Sequence, residues 1–150
     1  MDNGQEFIAG REVRFAHALA ANGLRMTHQR LEIVRELASA KDHPDAETLL
    51  HRVRARVPML SLDTVYRTLD VLAEHGLVAR IPMARANRFD PDLALHHHFV
   101  CSRCGGVVDV ACDALGPLPS APAALEGIGH VDSLHLQIWG VCDSCGDEGS

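Results

Sequence analysis

Two cysteine pairs, Cys101-Ser-Arg-Cys104 and Cys142-Asp-Ser-Cys145, constrain the fold of this chain more than any other feature. Thirty-seven residues separate them. Each Cys-x-x-Cys-Gly hook bends the backbone so that both sulfurs address one point, and the glycine eases the turn. Two such hooks close a tetrahedral thiolate site for zinc, which holds structure and keeps no open position for chemistry. Free buried cysteines and a thioredoxin-like redox pair are the competing readings. Neither accounts for two hooks, and no βαβ pattern surrounds either one. The fifth cysteine, Cys112, reads as a small core residue rather than a ligand.

A metal reading also suits the compartment. No apolar leader stretch opens the sequence and no apolar run approaches membrane-spanning length. The expectation is a cytoplasmic protein with no membrane partner, whose thiols stay reduced. The charge of −6 is unevenly spread. Residues 1–89 hold thirteen Lys and Arg against eleven acids, and residues 90–150 hold one arginine against nine acids. A mildly basic front and a strongly acidic back imply two domains, 1–89 and 90–150, with different partners.

The front reads as helices. Phe15, Ala18 and Leu19 mark a first amphipathic stretch. Thr27 can cap a second helix with Leu31, Val34, Leu37 and Ala38 inside. Pro44 suits the first position of a third, where Ala46, Leu49, Leu50 and Val53 share a face. Ser61 can cap a fourth that buries Val65, Leu69, Leu72 and Ala73 and ends at Gly76. Leu77–Ile81, a turn over 82–87 and Arg88-Phe89 then form a two-stranded wing. Helices followed by a hairpin make a winged helix-turn-helix; periodicity alone also allows an ordinary helical bundle. The back reads as strands at His96–Cys101, Val107–Cys112 and Leu134–Val141, with Val108, Val110 and Cys112 on one face of the second. A proline-rich loop, Pro117–Pro122, and a short Ala/Leu segment separate the last two.

A second constellation is built from nitrogen and oxygen. His96 and His98 share one face of a strand, Asp109 lies on the next, and Asp90 is just upstream. Imidazole with carboxylate suits iron or manganese. A run of three histidines can also be a solvated strand edge.

Four stretches together resemble the ferric uptake regulator family: Ser61-Leu-Asp-Thr-Val-Tyr-Arg-Thr-Leu, Arg88-Phe89-Asp90, His96-His97-His98-Phe-Val-Cys-Ser-Arg-Cys-Gly, and Trp139-Gly-Val-Cys-Asp-Ser-Cys. Thr27-His-Gln-Arg30 adds to the likeness, which runs from about residue 11 to Cys145. The resemblance implies an α+β protein: an N-terminal winged helix-turn-helix that reads DNA, then a small α/β dimerisation domain. It implies a homodimeric, metal-dependent repressor rather than an enzyme, acting on a double-stranded, palindromic operator. The regulatory Fe2+ or Mn2+ ligands by position are His43, Asp90, His96, His98 and Asp109. The structural Zn2+ ligands are Cys101, Cys104, Cys142 and Cys145. Aspartate at both 90 and 109 is similar to the peroxide-stress subtype, in which iron-catalysed oxidation of the histidines matching His43 and His96 releases the repressor. An iron- or manganese-responsive uptake repressor is the alternative within the family.

Departures sharpen this reading. A further zinc site of iron regulators uses a histidine and an acid where this chain has Leu95 and His97, and His135 is displaced by one residue; that site is expected to be absent. No cysteine precedes the His-x-His pair, which argues against a zinc-uptake role. For DNA, the fourth helix is expected in the major groove, with Thr64, Tyr66 and Arg67 as contacts; Arg67 can pair with guanine or hold a phosphate. Arg85 and Arg88 suit the wing, and Arg25 and Arg30 suit phosphates. Two other classes fit less: a His/Asp metalloenzyme lacks an acid–base partner or nucleophile motif, and a structural zinc-binding module leaves the Tyr66-Arg67 helix unexplained.

Overall fold

The computed structural model describes residues 3–116, 127–129 and 134–146. The chain divides into two compact units, Met1–Leu93 and Ala94–Ser150. The division falls after Leu93 because Asp90 is still a rung of the wing, where it pairs with Ala79.

The first unit contains α1 (Asn3–Ala21), α2 (His28–Ser39), α3 (Ala46–Arg54) and α4 (Leu62–Glu74), then the hairpin β1 (Ala79–Ile81) and β2 (Arg88–Asp90). Side-chain caps set three helix starts by accepting orphan N–H groups. Thr27 accepts from Arg30 N, Asp45 from Thr48 N and Ser61 from Thr64 N. The Asp45 cap shifts α3 from its expected start. Pro44 lies outside the helix, and its carbonyl accepts Phe89 N–H at 3.1 Å. Phe15, Leu19, Ile33, Val34, Leu37, Leu49, Val53, Val65, Leu69, Leu72 and Phe89 form one buried core. Leu31, Leu50 and Ala73, expected inside, are half-buried, and Ile33 takes the central place on α2.

The second unit is a three-stranded sheet in the order β4-β3-β5. β3 (His96–Cys101) is central, β4 (Val107–Ala111) runs antiparallel to it and β5 (Gln137–Gly140) parallel. β4 stops one residue short of expectation because Cys112 opens a 3-10 turn, Cys112–Leu115. On the expected apolar face of β4, Val108 is 59 % exposed and Val110 and Cys112 are half-buried, while Val107 on the opposite face is buried. β5 is shorter than Leu134–Val141, although Leu136 still accepts His98 N–H at 3.0 Å. Gly140 is required where β5 meets β3, since a Cβ there would lie 2.8 Å from the Phe99 ring. A four-residue helix, α5 (Asp143–Gly146), carries the second hook. The loop expected at Pro117–Pro122 and the Ala/Leu segment after it lie outside the described residues. The architecture is α+β, a winged helix-turn-helix followed by a small sheet unit.

Candidate metal centres

β3 ends at Cys101, and its exit turn presents Cys104. Gly105, in the left-handed region at φ 69°, donates its N–H to the Cys101 carbonyl at 2.9 Å. Gly106 N–H then points at Cys104 Sγ, 3.4 Å away. The second hook is a single helical turn in which Cys145 N and Gly146 N both donate to the Cys142 carbonyl. The residues inside the first hook lock the two together. Ser102 donates to the Gly140 carbonyl from its backbone N at 2.8 Å and its Oγ at 3.0 Å, and Arg103 donates to the Cys145 carbonyl. Nothing in the sequence marks Ser102, and Arg103 stands out only as the single Lys or Arg after position 89.

The four sulfurs lie within 4.8 Å of one another, and none is in a disulfide. Cys104 and Cys142 are 3.9 Å apart. A tetrahedron with zinc–sulfur bonds of about 2.3 Å has edges of about 3.8 Å, so the sulfurs stand at ligand spacing. Backbone N–H groups stabilise the first thiolate: Cys142 N lies 3.3 Å from Cys101 Sγ, and the Cys101 thiol is held down at about 6. The Cys142 sulfur beside Cys145 pushes the last thiol up to about 12. One volume that favours a first thiolate and resists a fourth is what a divalent cation balances. Cys112 stands apart from this set, half-buried, with its thiol donating to the Leu95 carbonyl at 3.3 Å.

The nitrogen and oxygen ligands are built separately in each unit. In the first, His43 has a positive φ of 51°, uncommon for a residue with a Cβ. The Phe89–Pro44 hydrogen bond sets the wing strand beside this turn. His43 and Asp90 are both buried, with His43 Nε2 3.5 Å from Asp90 Oδ2. In the second, His98 pairs directly with Asp109 across the ladder, and His96 lies two residues along the same face. His96 Nδ1 is 2.6 Å from the Ala94 carbonyl, which can only accept, so Nδ1 carries a proton and the neutral ring keeps its lone pair on Nε2. The two Nε2 atoms are 2.9 Å apart, and Asp109 Oδ1 lies 3.2 Å from His96 Nε2 and 3.6 Å from His98 Nε2. Adjacent positions of an octahedron with bonds of about 2.1 Å are about 3.0 Å apart, so these donors also stand at ligand spacing. His97 points to the other face of β3. It is buried, and its Nδ1 accepts Leu136 N–H at 3.3 Å.

α4 carries the expected DNA-reading residues. Tyr66 is 40 % exposed, Arg67 is exposed within 4.0 Å of Asp63, and Thr64 sits in the capped first turn, 2.9 Å from Ser61 Oγ. Arg85 is exposed in the turn of the wing. Arg88 is half-buried, 3.8 Å from Asp45. Arg25 is exposed, and its carbonyl accepts from Arg30 Nη1 at 2.6 Å, which engages the Arg30 guanidinium within its own loop.

The ferric uptake regulator family model matches residues 21–137. The chain is 33 % identical over 140 residues to the peroxide operon regulator of Bacillus subtilis, covering 92 % of this chain and 96 % of that protein. It is 37 % identical over 129 residues to ferric uptake regulation protein 1 of Mycolicibacterium fortuitum, covering 83 % and 78 %. The crystal structure of the Campylobacter jejuni peroxide stress regulator is similar, with a TM-score of 0.63 at 29 % identity over 86 % of this chain and 93 % of that one. With hooks, ligand clusters and winged helix in one order, the chain belongs to the ferric uptake regulator family of metal-responsive transcriptional regulators.

Proposed function

We propose that this protein is a metal-dependent repressor that senses peroxide through oxidation of its own ligand histidines. His43 and Asp90 from the first unit, with His96, His98 and Asp109 from the second, hold one regulatory Fe2+ or Mn2+. Cys101, Cys104, Cys142 and Cys145 hold a structural Zn2+. The observation that carries the reading is the donor set: imidazoles with two aspartates and no thiolate, which suits iron or manganese better than a thiolate site would. Asp109 leaves nearly half its side chain exposed, so a small oxidant can reach the site from solvent.

The chain's own residues perform the switch. His96 presents Nε2 because the Ala94 carbonyl fixes its tautomer. A ligand set shared by two units stabilises only the arrangement that assembles it, so binding energy becomes arrangement energy. By linkage, metal raises operator affinity by the factor by which operator raises metal affinity. A ferrous ion held by these residues would catalyse transfer of one peroxide oxygen to an adjacent imidazole, the other oxygen leaving as water. Oxygen added to the ring of His43 or His96 removes a ligand, and the DNA-reading unit loses its fixed placement. The protein acts as a homodimer in the cytoplasm on a palindromic double-stranded operator, with Thr64, Tyr66 and Arg67 in the major groove. Arg85 and Arg88 lie along the wing contact, and Arg25 and Arg30 near phosphates. Local arginine placement and two-site avidity carry affinity, because the first 89 residues net only +2.

The likeness to a ferric uptake regulation protein favours a second reading, an iron- or manganese-responsive uptake repressor using the same ligands. Peptide-resolved mass spectrometry separates the two. After ferrous iron and peroxide, the peptides holding His43 or His96 gain one oxygen and operator binding is lost, whereas manganese-loaded protein keeps both unchanged. Unmodified histidines at a peroxide dose that releases DNA would sink the peroxide reading.

A further inference from the structure

Asp90 is held from two directions. Its Oδ1 accepts the backbone N–H of Asp92 at 2.8 Å, closing a turn over Pro91. Its Oδ2 faces His43 Nε2 at 3.5 Å. The turn therefore decides which carboxylate oxygen addresses the histidine. The turn is itself anchored: Asp92 Oδ1 lies 3.5 Å from Nη2 of Arg11 on α1. Arg11 is buried, and burial of a guanidinium needs compensating partners. Its Nη1 donates to the Ala38 carbonyl near the end of α2 at 3.4 Å, and its guanidinium stacks 4.3 Å over the Phe7 ring. Arg11 thus joins α1, α2 and the segment after the wing, yet it belongs to neither zinc hook nor recognition helix.

We propose that Arg11 is a positioning residue for the regulatory metal: through Asp92 it fixes the Asp90 carboxylate so that Oδ2 alone is offered to the ion. This rests on the reading of Asp90 as a ligand. Removing Arg11 frees the 90–92 turn, and the carboxylate then samples positions that do not present Oδ2. Residues that orient a ligand from behind typically change metal affinity by about ten- to a hundredfold. The sign separates this from a charge effect. Deleting a cation near a cation site would by itself strengthen metal binding.

The test uses the zinc-loaded full chain and Co2+ as a spectroscopic probe of the His/Asp site. Arg11→Gln should weaken Co2+ binding about tenfold while zinc stays at one per chain. Arg11→Lys should recover part of the loss, because an amine reaches Asp92 without the planar fork. Asp92→Ala should reproduce the loss, and the double variant should bind no more weakly than Arg11→Gln alone. Without added Co2+, the Asp92 amide should exchange with solvent faster in Arg11→Gln than in the parent. Asp90→Ala is the control. If it loses Co2+ affinity while Arg11→Gln and Asp92→Ala bind like the parent, the positioning role is overturned and Asp90 remains a ligand. If Asp90→Ala also binds like the parent, the ligand reading falls and the proposal with it. Should Arg11→Gln fail to fold, Arg11→Lys carries the comparison: it keeps the charge, so it should still bind Co2+ more weakly than the parent, and parent-like binding would overturn the positioning role.

Discussion

His43 and Asp90 store their specificity in backbone detail. His43 holds a left-handed φ of 51°, and such strain persists where surrounding structure over-determines it. Pro44 and Phe89 supply that constraint through one hydrogen bond, so the same bond that docks the wing also aims the histidine. Asp90 has one oxygen on the Asp92 amide and the other toward His43. Glutamate at position 90 would carry its carboxylate one methylene farther and break this split. Asp90→Glu should therefore keep metal-dependent operator binding, since a carboxylate remains, but need about tenfold more peroxide for half-release of DNA. Titrating peroxide against operator binding, with ferrous iron held constant, measures this. An unchanged half-release dose would mean that this carboxylate does not set the subtype. The sequence supplied the ligand types here. It could not supply the roles of Asp92 and Arg11, because a turn held from a helix some eighty positions away leaves no periodic trace.

At the scale of elements, caps and apolar periodicity were legible, and strand faces were less so. Thr27 and Ser61 begin helices as read, because a hydroxyl that accepts N–H three residues on is a local signal. α3 starts after Asp45 rather than at Pro44, because proline at a first helical turn and proline just before a cap look alike in sequence. Val108, Val110 and Cys112 share one face as expected from alternation, but alternation says only that a strand has two faces, not which is covered, and Val108 is exposed. A polar network that periodicity does not register ties α2 to the end of α3. Glu32 is buried on α2 and meets Arg56 Nε at 2.6 Å and Arg35 Nη1 at 2.9 Å. The Arg56 hydrogen bond holds the Glu32 carboxyl below its ordinary 4.5 against the opposing cost of burial. A depressed folded value means that the stabilisation is fully present above about pH 4.5 and is lost as pH falls through the folded value. Glu32→Gln should cost about 1 kcal/mol at pH 7, discounted because Arg56 is half-exposed. The deficit should shrink as the pH falls below 4.5, where the parent's own carboxyl protonates. Thermal melts of both proteins at several pH values check the sign; a deficit that grows in acid would contradict it.

On the scale of the whole molecule, the two units differ in what holds them. The first has a continuous core reaching from Phe15 to Phe89. In the second, the buried apolar side chains among the described residues are Val100, Cys101 and Val107. A unit of this size gains from a staple, and structural zinc in small domains contributes about 10 kcal/mol or more of apparent folding free energy. The cysteine spacing made this dependence legible, whereas the sequence could not show that the sheet itself would be so thin. Trp139 at 53 % and Val141 at 43 % exposure, together with Val108, leave apolar surface that the proposed homodimer would cover. Cys101→Ser should therefore act unevenly. It removes the sulfur toward which Cys142 N points and whose thiol is held down at about 6, so zinc should fall below one per chain. The sheet unit should then unfold and the dimer dissociate, while the helical signal of the first unit persists and melts as a separate transition. Metal analysis, sedimentation and far-ultraviolet circular dichroism on one preparation read all three. A zinc-loaded, dimeric Cys101→Ser protein would refute the staple, and loss of the helical signal together with the sheet would refute the independence of the two cores.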